Sequence, residues 1–305
     1  MDVLKLFPIR KNKKQKQVFR DSVQSYVTTL GYESTVEKGS MGARNVVIGN
    51  PKTARYLVTA HYDTPAGMPF PNLITPCSLV GFLAYQLLIV ALILGTCAIP
   101  VWFLTKLGMD TNYAAFVWLI CVYGCLGFML LGPANKSNAN DNTSGVVTVL
   151  ETAKSLPDEL RDRVCFILFD LEEAGLIGSS SYAKAHKKET ACQIVLNLDC
   201  VGDGDEVILF PTKKAKKNAR LLDSLERICT SGEKSLTVRK KGFSYYPSDQ
   251  KNFPLGVGIA AFRRSKLFGP YCDKIHTSRD KILEEKNVSF LRERLIALIG
   301  ADAAQ

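Results

Sequence analysis

Residues Arg163–Asp170 read RVCFILFD, and Val164–Phe169 is apolar at every position. A strand with one wet face alternates apolar and polar residues. A strand apolar on both sides is sealed on both, as at the centre of a parallel sheet. Cys192–Asp199 (CQIVLNLD), Arg55–Asp63 (RYLVTAHYD) and Gly256–Arg263 (GVGIAAFR) repeat the pattern, with Arg44–Gly49 (RNVVIG) and the shorter Val207–Phe210 beside them. Helical spacing fills the gaps. Asn12–Leu30 carries Val18, Val23, Tyr26 and Leu30 as a stripe. Asn142–Leu156 puts Val146, Val149, Leu150 and Ala153 on one face, with Thr143 or Ser144 as its cap. Leu176–His186, Lys214–Ser231 and Val288–Ile299 read as further helices. Strands alternating with helices predict an α/β fold: a mostly parallel central sheet with helices on both faces.

In such sheets the working residues gather at the carboxyl ends of the strands. Tyr56–Ala60 runs into His61 and Asp63; Val164–Phe169 runs into Asp170, Glu172 and Glu173; Ile194–Leu198 runs into Asp199. Asp141 opens a helix, and His276 sits in the polar loop IHTSRD, Ile275–Asp280. Of the three histidines only His186, in a Lys-rich helix end, is left without a role. Two histidines among several carboxylates suit zinc, with nitrogen and oxygen ligands. The surplus carboxylates allow two ions sharing one bridging group, and Co2+ or Mn2+ fit the same donors.

The apolar residues are unevenly spread along the 305 positions. No charged residue occurs from Cys77 to Thr105, and Tyr113–Gly132 is a second uncharged run. About 20 apolar residues cross a bilayer core, so both runs read as membrane spans. The linker Lys106–Asn112 is short, which makes them an antiparallel hairpin. Two crossings return the chain to its starting side. The expected organisation is therefore a catalytic domain of residues 1–75 and 133–305, interrupted by a transmembrane hairpin at 76–132. Met1–Thr75 carries eleven Lys/Arg, and Met1–Phe19 has no apolar core of a secretory signal. A two-pass cell-membrane protein with both termini and the catalytic domain in the cytoplasm is expected. Nine cysteines, odd in number and without a C-x-x-C pair, point to reduced thiols in that compartment. The net charge of +10 comes with lysine clusters at Lys11–Lys16 and Lys213–Lys217. Neither has the pattern of a nucleic-acid module; solvated faces or attraction to a membrane surface account for them.

Taken in chain order, AHYDT (Ala60–Thr64), NDNTSGV (Asn140–Val146), FDLEEAGLIGS (Phe169–Ser179), NLD (Asn197–Asp199) and HTSRD (His276–Asp280) resemble the di-zinc aminopeptidases related to secreted bacterial leucyl aminopeptidase, aminopeptidase Y and glutamate carboxypeptidase. The resemblance spans roughly Val18–Thr64 and Asn138–Ile299. It implies that His61 and Asp199 ligate one zinc, that Glu173 and His276 ligate the other, and that Asp141 bridges them. It implies that Glu172 is the general base. Asp63 lies two residues from His61 on the same strand face, placed to fix its ring. The activity implied is hydrolysis of the N-terminal peptide bond of peptide substrates. Three other activities fit the fold or the chain: a carboxypeptidase or deacylase of small N-acyl substrates, a glutaminyl cyclase, and a catalytically silent membrane scaffold. A cyclase of this type uses pocket tryptophans, and the only two here, Trp102 and Trp118, lie in the spans. Two departures stand out. Ser248-Asp249-Gln250 replaces the usual Ser-Asp-His, which leaves Tyr245 or Tyr246 as an oxyanion donor or a packing residue. Asp63 and Asp141 are 78 positions apart because the hairpin lies between them, so the spans emerge beside the site.

Overall fold

The computed structural model describes residues 1–301; the last four residues of the expected 133–305 segment lie outside it. The chain opens with α1 (Val3–Leu6) and α2 (Lys13–Thr29). Strands β1 (Ser34–Lys38), β2 (Arg44–Ile48) and β3 (Tyr56–His61) follow. Two long helices come next, α3 (Leu79–Lys106) and α4 (Thr111–Leu131), then α5 (Gly145–Ser155), β4 (Val164–Phe169), α6 (Ile177–Ala185) and β5 (Ile194–Leu198). The chain ends with β6 (Glu206–Pro211), α7 (Ala219–Arg227), β7 (Ser235–Val238), β8 (Leu255–Ser265), β9 (Gly269–Tyr271) and α8 (Glu285–Ala301).

The sheet runs β1-β2-β4-β3-β5-β8-β6-β7, with β9 paired to β8. Its centre, β4, β3, β5 and β8, is parallel, as the apolar runs predict. The flanks are mixed: β2 and β6 join the centre antiparallel, and β1 runs antiparallel to β2. Alternate residues of β4 serve opposite faces. Val164, Phe166 and Leu168 pack with α2, α5 and α8. Cys165, Ile167 and Phe169 pack with Tyr182 of α6 and Phe253.

Several local expectations are corrected. The buried stripe of α2 is Phe19, Val23 and Val27, whereas Val18 is 50% exposed. Asn12 and Gln15 close the start of α2 as a capping box. The helix expected over Lys214–Ser231 is broken, because Asn218 accepts from the Leu221 amide at 3.0 Å and starts α7 afresh. Neither Thr143 nor Ser144 caps α5. Their hydroxyls donate to Asn138 Oδ1 and the Asn140 carbonyl, while Asn142 Oδ1 accepts from Gly145 N at 3.0 Å. Nor is the first lysine cluster wholly solvated. Lys16 is buried and its Nζ lies 2.6 Å from Asp170 Oδ1. Asp170 also accepts from the amides of Arg44 and Leu171, so this strand-end acid is structural. Lys16→Met should therefore destabilise the protein by about 3 kcal/mol, the cost of stranding a buried charge. The midpoint of denaturation reads this, and Asp170→Asn added to it should recover much of the loss.

The long helices stand apart from the sheet. Only 11% and 6% of their most apolar windows is buried, so they are not core helices. Their 28 and 21 residues are long enough to cross a membrane. They pack on each other, with Ile93, Cys97 and Ala114 buried between them. At their base the chain leaves and re-enters side by side. Gly67 N donates to Pro133 O, and Asn135 N to Pro65 O, each at 2.9 Å. All nine cysteines are free thiols.

Candidate metal centre

Parallel register brings the strand ends level. His61 pairs with Phe169, and Thr59 with Asn197, so His61, the Leu171–Glu173 loop and Asp199 emerge on one edge. Asp141 reaches the same edge from the turn before α5. Gly145 allows this approach, since a Cβ there would lie 2.4 Å from Asn142 Oδ1 and 2.5 Å from the Leu198 carbonyl. His276 enters from the loop after β9, at a left-handed backbone position (φ 60°).

The seven residues singled out in the sequence meet here. Asp141 stands between the histidines with one oxygen toward each. His61 Nε2 lies 3.3 Å from Asp141 Oδ1, and His276 Nε2 lies 2.9 Å from Asp141 Oδ2. Asp199 Oδ1 lies 3.6 Å from His61 Nε2, and Glu173 Oε2 lies 3.6 Å from His276 Nε2. Donor atoms of His61, Asp141 and Asp199 fall within 4.8 Å of one another, and so do those of Asp141, Glu173 and His276. A third group of the same span joins His61, Glu172 and Glu173. Glu173 Oε1 is buried without a hydrogen-bond partner. A buried carboxylate oxygen with nothing to accept from is what a metal ligand looks like without its ion. The residues fit a metal.

Asp63 does more than the sequence suggests. Its Oδ1 faces His61 Nδ1 at 3.5 Å, too long for a good hydrogen bond. Its two oxygens accept from the amides of Glu172 and Glu173, at 3.0 and 3.3 Å. It therefore shapes the loop that carries both glutamates. Asp280, unassigned from the sequence, accepts from the amides of Asn140 and Asp141 at 2.8 and 3.0 Å and fixes the Asp141 turn. Its place four residues after His276 was the only signal for it. Gln250 holds a structural position. Asn197 Nδ2 donates to Gln250 Oε1 and Ser248 Oγ, and Gln250 Nε2 donates to the Tyr246 carbonyl. The Tyr246 hydroxyl donates to the Asp199 carbonyl at 3.1 Å, and its ring stacks on Phe210. Tyr246 is held by this bond and by packing, and with Tyr245 it lines the cavity above the cluster. His186 bonds Glu37 and stacks on Tyr182, away from the site.

That cavity holds about 360 Å³ and contains His61, Asp141, Glu172, Glu173, Asp199 and His276 in its wall. A larger open groove, about 680 Å³, shares Tyr245–Pro247 with that cavity and carries none of these donors. The metal-free cluster is rich in protons. Burial pushes Glu173 up to about 8, with His276 opposing and Asp141 adding. Burial works against a charge on His276, but Glu173 and Asp141 raise it to about 9. Burial and neighbouring carboxylates lift Glu172 well above the ordinary range, against the pull of His61. At pH 7 the Glu173 carboxyl and the His276 ring both carry protons, and a metal needs both without them. Burial opposes a charge on His61 as well, but Glu172 and the Asp141, Asp199 and Asp63 carboxylates raise it, so zinc should expel about two or more protons at pH 7 and fewer near pH 10, and its affinity should rise across that range. Proton release into weak buffer during a zinc titration measures this.

Residues 122–294, more than half of the chain, match peptidase family M28. The chain belongs to that family. No curated protein matches it by sequence. Solved structures share the fold of this M28 member. The LapA aminopeptidase of Legionella pneumophila aligns with a TM-score of 0.57 at 14% identity, over 96% of this chain and 65% of its own. This chain therefore spans less than two thirds of that protein. A Zn-dependent exopeptidase from Parabacteroides distasonis aligns at 0.56 and 14%, over 96% and 92%. The glutaminyl cyclase of Tannerella forsythia aligns at 0.58 and 17%, over 96% and 93%.

Proposed function

We propose that this M28 member is a membrane-anchored di-zinc aminopeptidase. The observation that carries the reading is the place of Asp141 in both donor groups, one oxygen toward each histidine. His61 and Asp199 would hold one ion, Glu173 and His276 the other, with Asp141 shared. Bound zinc supplies Lewis acidity, lowering the pKa of water and polarising a carbonyl. The chain's own residues do the rest. Glu172 takes the proton of the attacking water and delivers it to the leaving amine. Asp63 fixes the loop that carries Glu172 and Glu173 by accepting from both of their amides.

The wall supports action at the amino end. Among the described residues, none that lines the cavity is Lys or Arg. A carboxypeptidase needs a cation for its substrate's carboxylate, whereas carboxylates attract an α-ammonium group. The anchor is read from α3 and α4, whose most apolar stretches are largely uncovered by the rest of the chain. Residues 1–75 and 133–305 then form one cytoplasmic catalytic domain, 76–132 the inserted hairpin, and membrane-released peptides the substrates.

The test uses protein purified in mild detergent, stripped of metal and reloaded with zinc. Two zinc ions per chain, with release of the first residue from unblocked but not N-acetylated peptides, is the expected result. Cleavage of N-acylated substrates alone would make it a deacylase or carboxypeptidase. Ammonia released from an N-terminal glutamine without chain cleavage would make it a cyclase. Intact metal binding with no turnover of any of these would leave a scaffold.

A further inference from the structure

The sheet domain does not close the cavity by itself. Phe82, Tyr85 and Gln86, from the first two turns of α3, share its wall with the metal-binding residues. They are fixed to the loops that carry the site. The ring of Phe82 sits 5.0 Å from Tyr245 and 5.9 Å from Phe243. The Tyr85 hydroxyl lies 3.1 Å from Asn72 Oδ1 and 3.2 Å from the Pro71 carbonyl. Asn72 Nδ2 in turn donates to the carbonyl of Ile275, the residue before His276, at 3.0 Å. Leu73, Ile74 and Ile275 extend the apolar surface between these anchors. The same helix then leaves the domain, with Val80 and Leu87 exposed on its outer side.

The cavity is thus two-sided. One side is the acidic cluster, and the other is aromatic and aliphatic. A space of about 360 Å³ takes one substantial side chain with its backbone ends. We propose that the first turns of α3 form the pocket for the substrate's first side chain and select peptides with a bulky apolar residue at an unblocked N-terminus. This rests on the aminopeptidase reading above. An apolar side chain is stabilised by the area it buries on Phe82, Tyr85 and Ile74. A charged one is left against that wall without a partner. An acidic one also meets the cluster's carboxylates. The hairpin then carries specificity as well as attachment, because its first two turns are the wall.

The full chain, zinc-loaded in detergent, would be given tripeptides differing only in the first residue: Leu, Phe, Ala or Asp. Wild type should favour Leu and Phe in kcat/KM. Phe82→Ala and Tyr85→Ala should each lower the Leu-to-Ala ratio by about tenfold or more, the weight of a lost pocket contact. Phe82→Trp, which adds bulk, should lower Phe relative to Leu. Leu88→Ala, on the exposed side of the same helix, should leave every ratio unchanged. Zinc content of each variant reports that the site has folded. Cleavage with ratios unmoved by all three wall variants would overturn the specificity proposal and leave the aminopeptidase reading intact. No cleavage by zinc-loaded wild type would remove both.

Discussion

Glu172→Gln should lower kcat by about 10²–10⁴-fold, the usual weight of a positioned proton carrier, with zinc content unchanged. The substitution keeps shape and volume, so the cavity and the Asp63 contact to the residue 172 amide survive. What it removes is the ability to accept a proton. The substrate's KM should hardly move, since the loss falls on the reaction step rather than on binding. The geometry also contains the rival account. Glu172 lies in a donor group with His61 and Glu173, so a metal could in principle use it. In that case Glu172→Gln would cost zinc, and added zinc would rescue activity. Metal analysis beside the rate assay separates the two: a fallen rate at full zinc content identifies the proton carrier.

How much of this was legible in the sequence depends on the kind of signal. The parallel centre was legible because burial on both faces leaves continuous apolar runs, as in Val164–Phe169. The cluster was legible because such strands end on one edge, so His61, Glu173 and Asp199 had to be neighbours. Edge strands were not. β1 (STVEK) and β7 (SLTV) are polar or short, and what makes them strands is pairing with β2 and β6 rather than any pattern of their own. The stripe of α2 was misplaced for a related reason. Lys16 and Arg20 are buried there through Asp170 and Tyr62, which hydropathy alone scores as surface. The cavity wall was hidden for a third reason. Hydropathy reads Phe82 and Tyr85 only as part of a span, and only tertiary packing turns them toward His276. Asp280 and Gln250 act through hydrogen bonds to backbone or amide groups, which leave no periodic trace.

Asp141→Asn should abolish activity, by about 10³-fold or more, and do so through metal loss at both positions. The reason is its shared place. His276→Ala or Asp199→Asn removes a donor from one group and leaves the other complete. Asp141→Asn takes a carboxylate oxygen from both. One of its two oxygens becomes an amide nitrogen, which cannot ligate, and the remaining oxygen carries no charge. The fold around it has little reason to fail, since Asp280 bonds the residue 141 amide, not the side chain. Some stability is lost even without metal. Burial opposes a charge on Asp141, yet His276 and His61 hold its carboxyl below the ordinary range. A carboxylate depressed in this way stabilises the folded state above its unfolded pKa, and that contribution disappears as pH falls through the folded value. The metal-free variant should therefore melt below metal-free wild type at pH 7, and the gap should close in strong acid. Zinc should widen the gap at pH 7, because wild type gains the binding energy of two ions and the variant gains little. A variant that still binds two zinc ions, with an unchanged zinc-induced rise in Tm, would show that Asp141 is not shared.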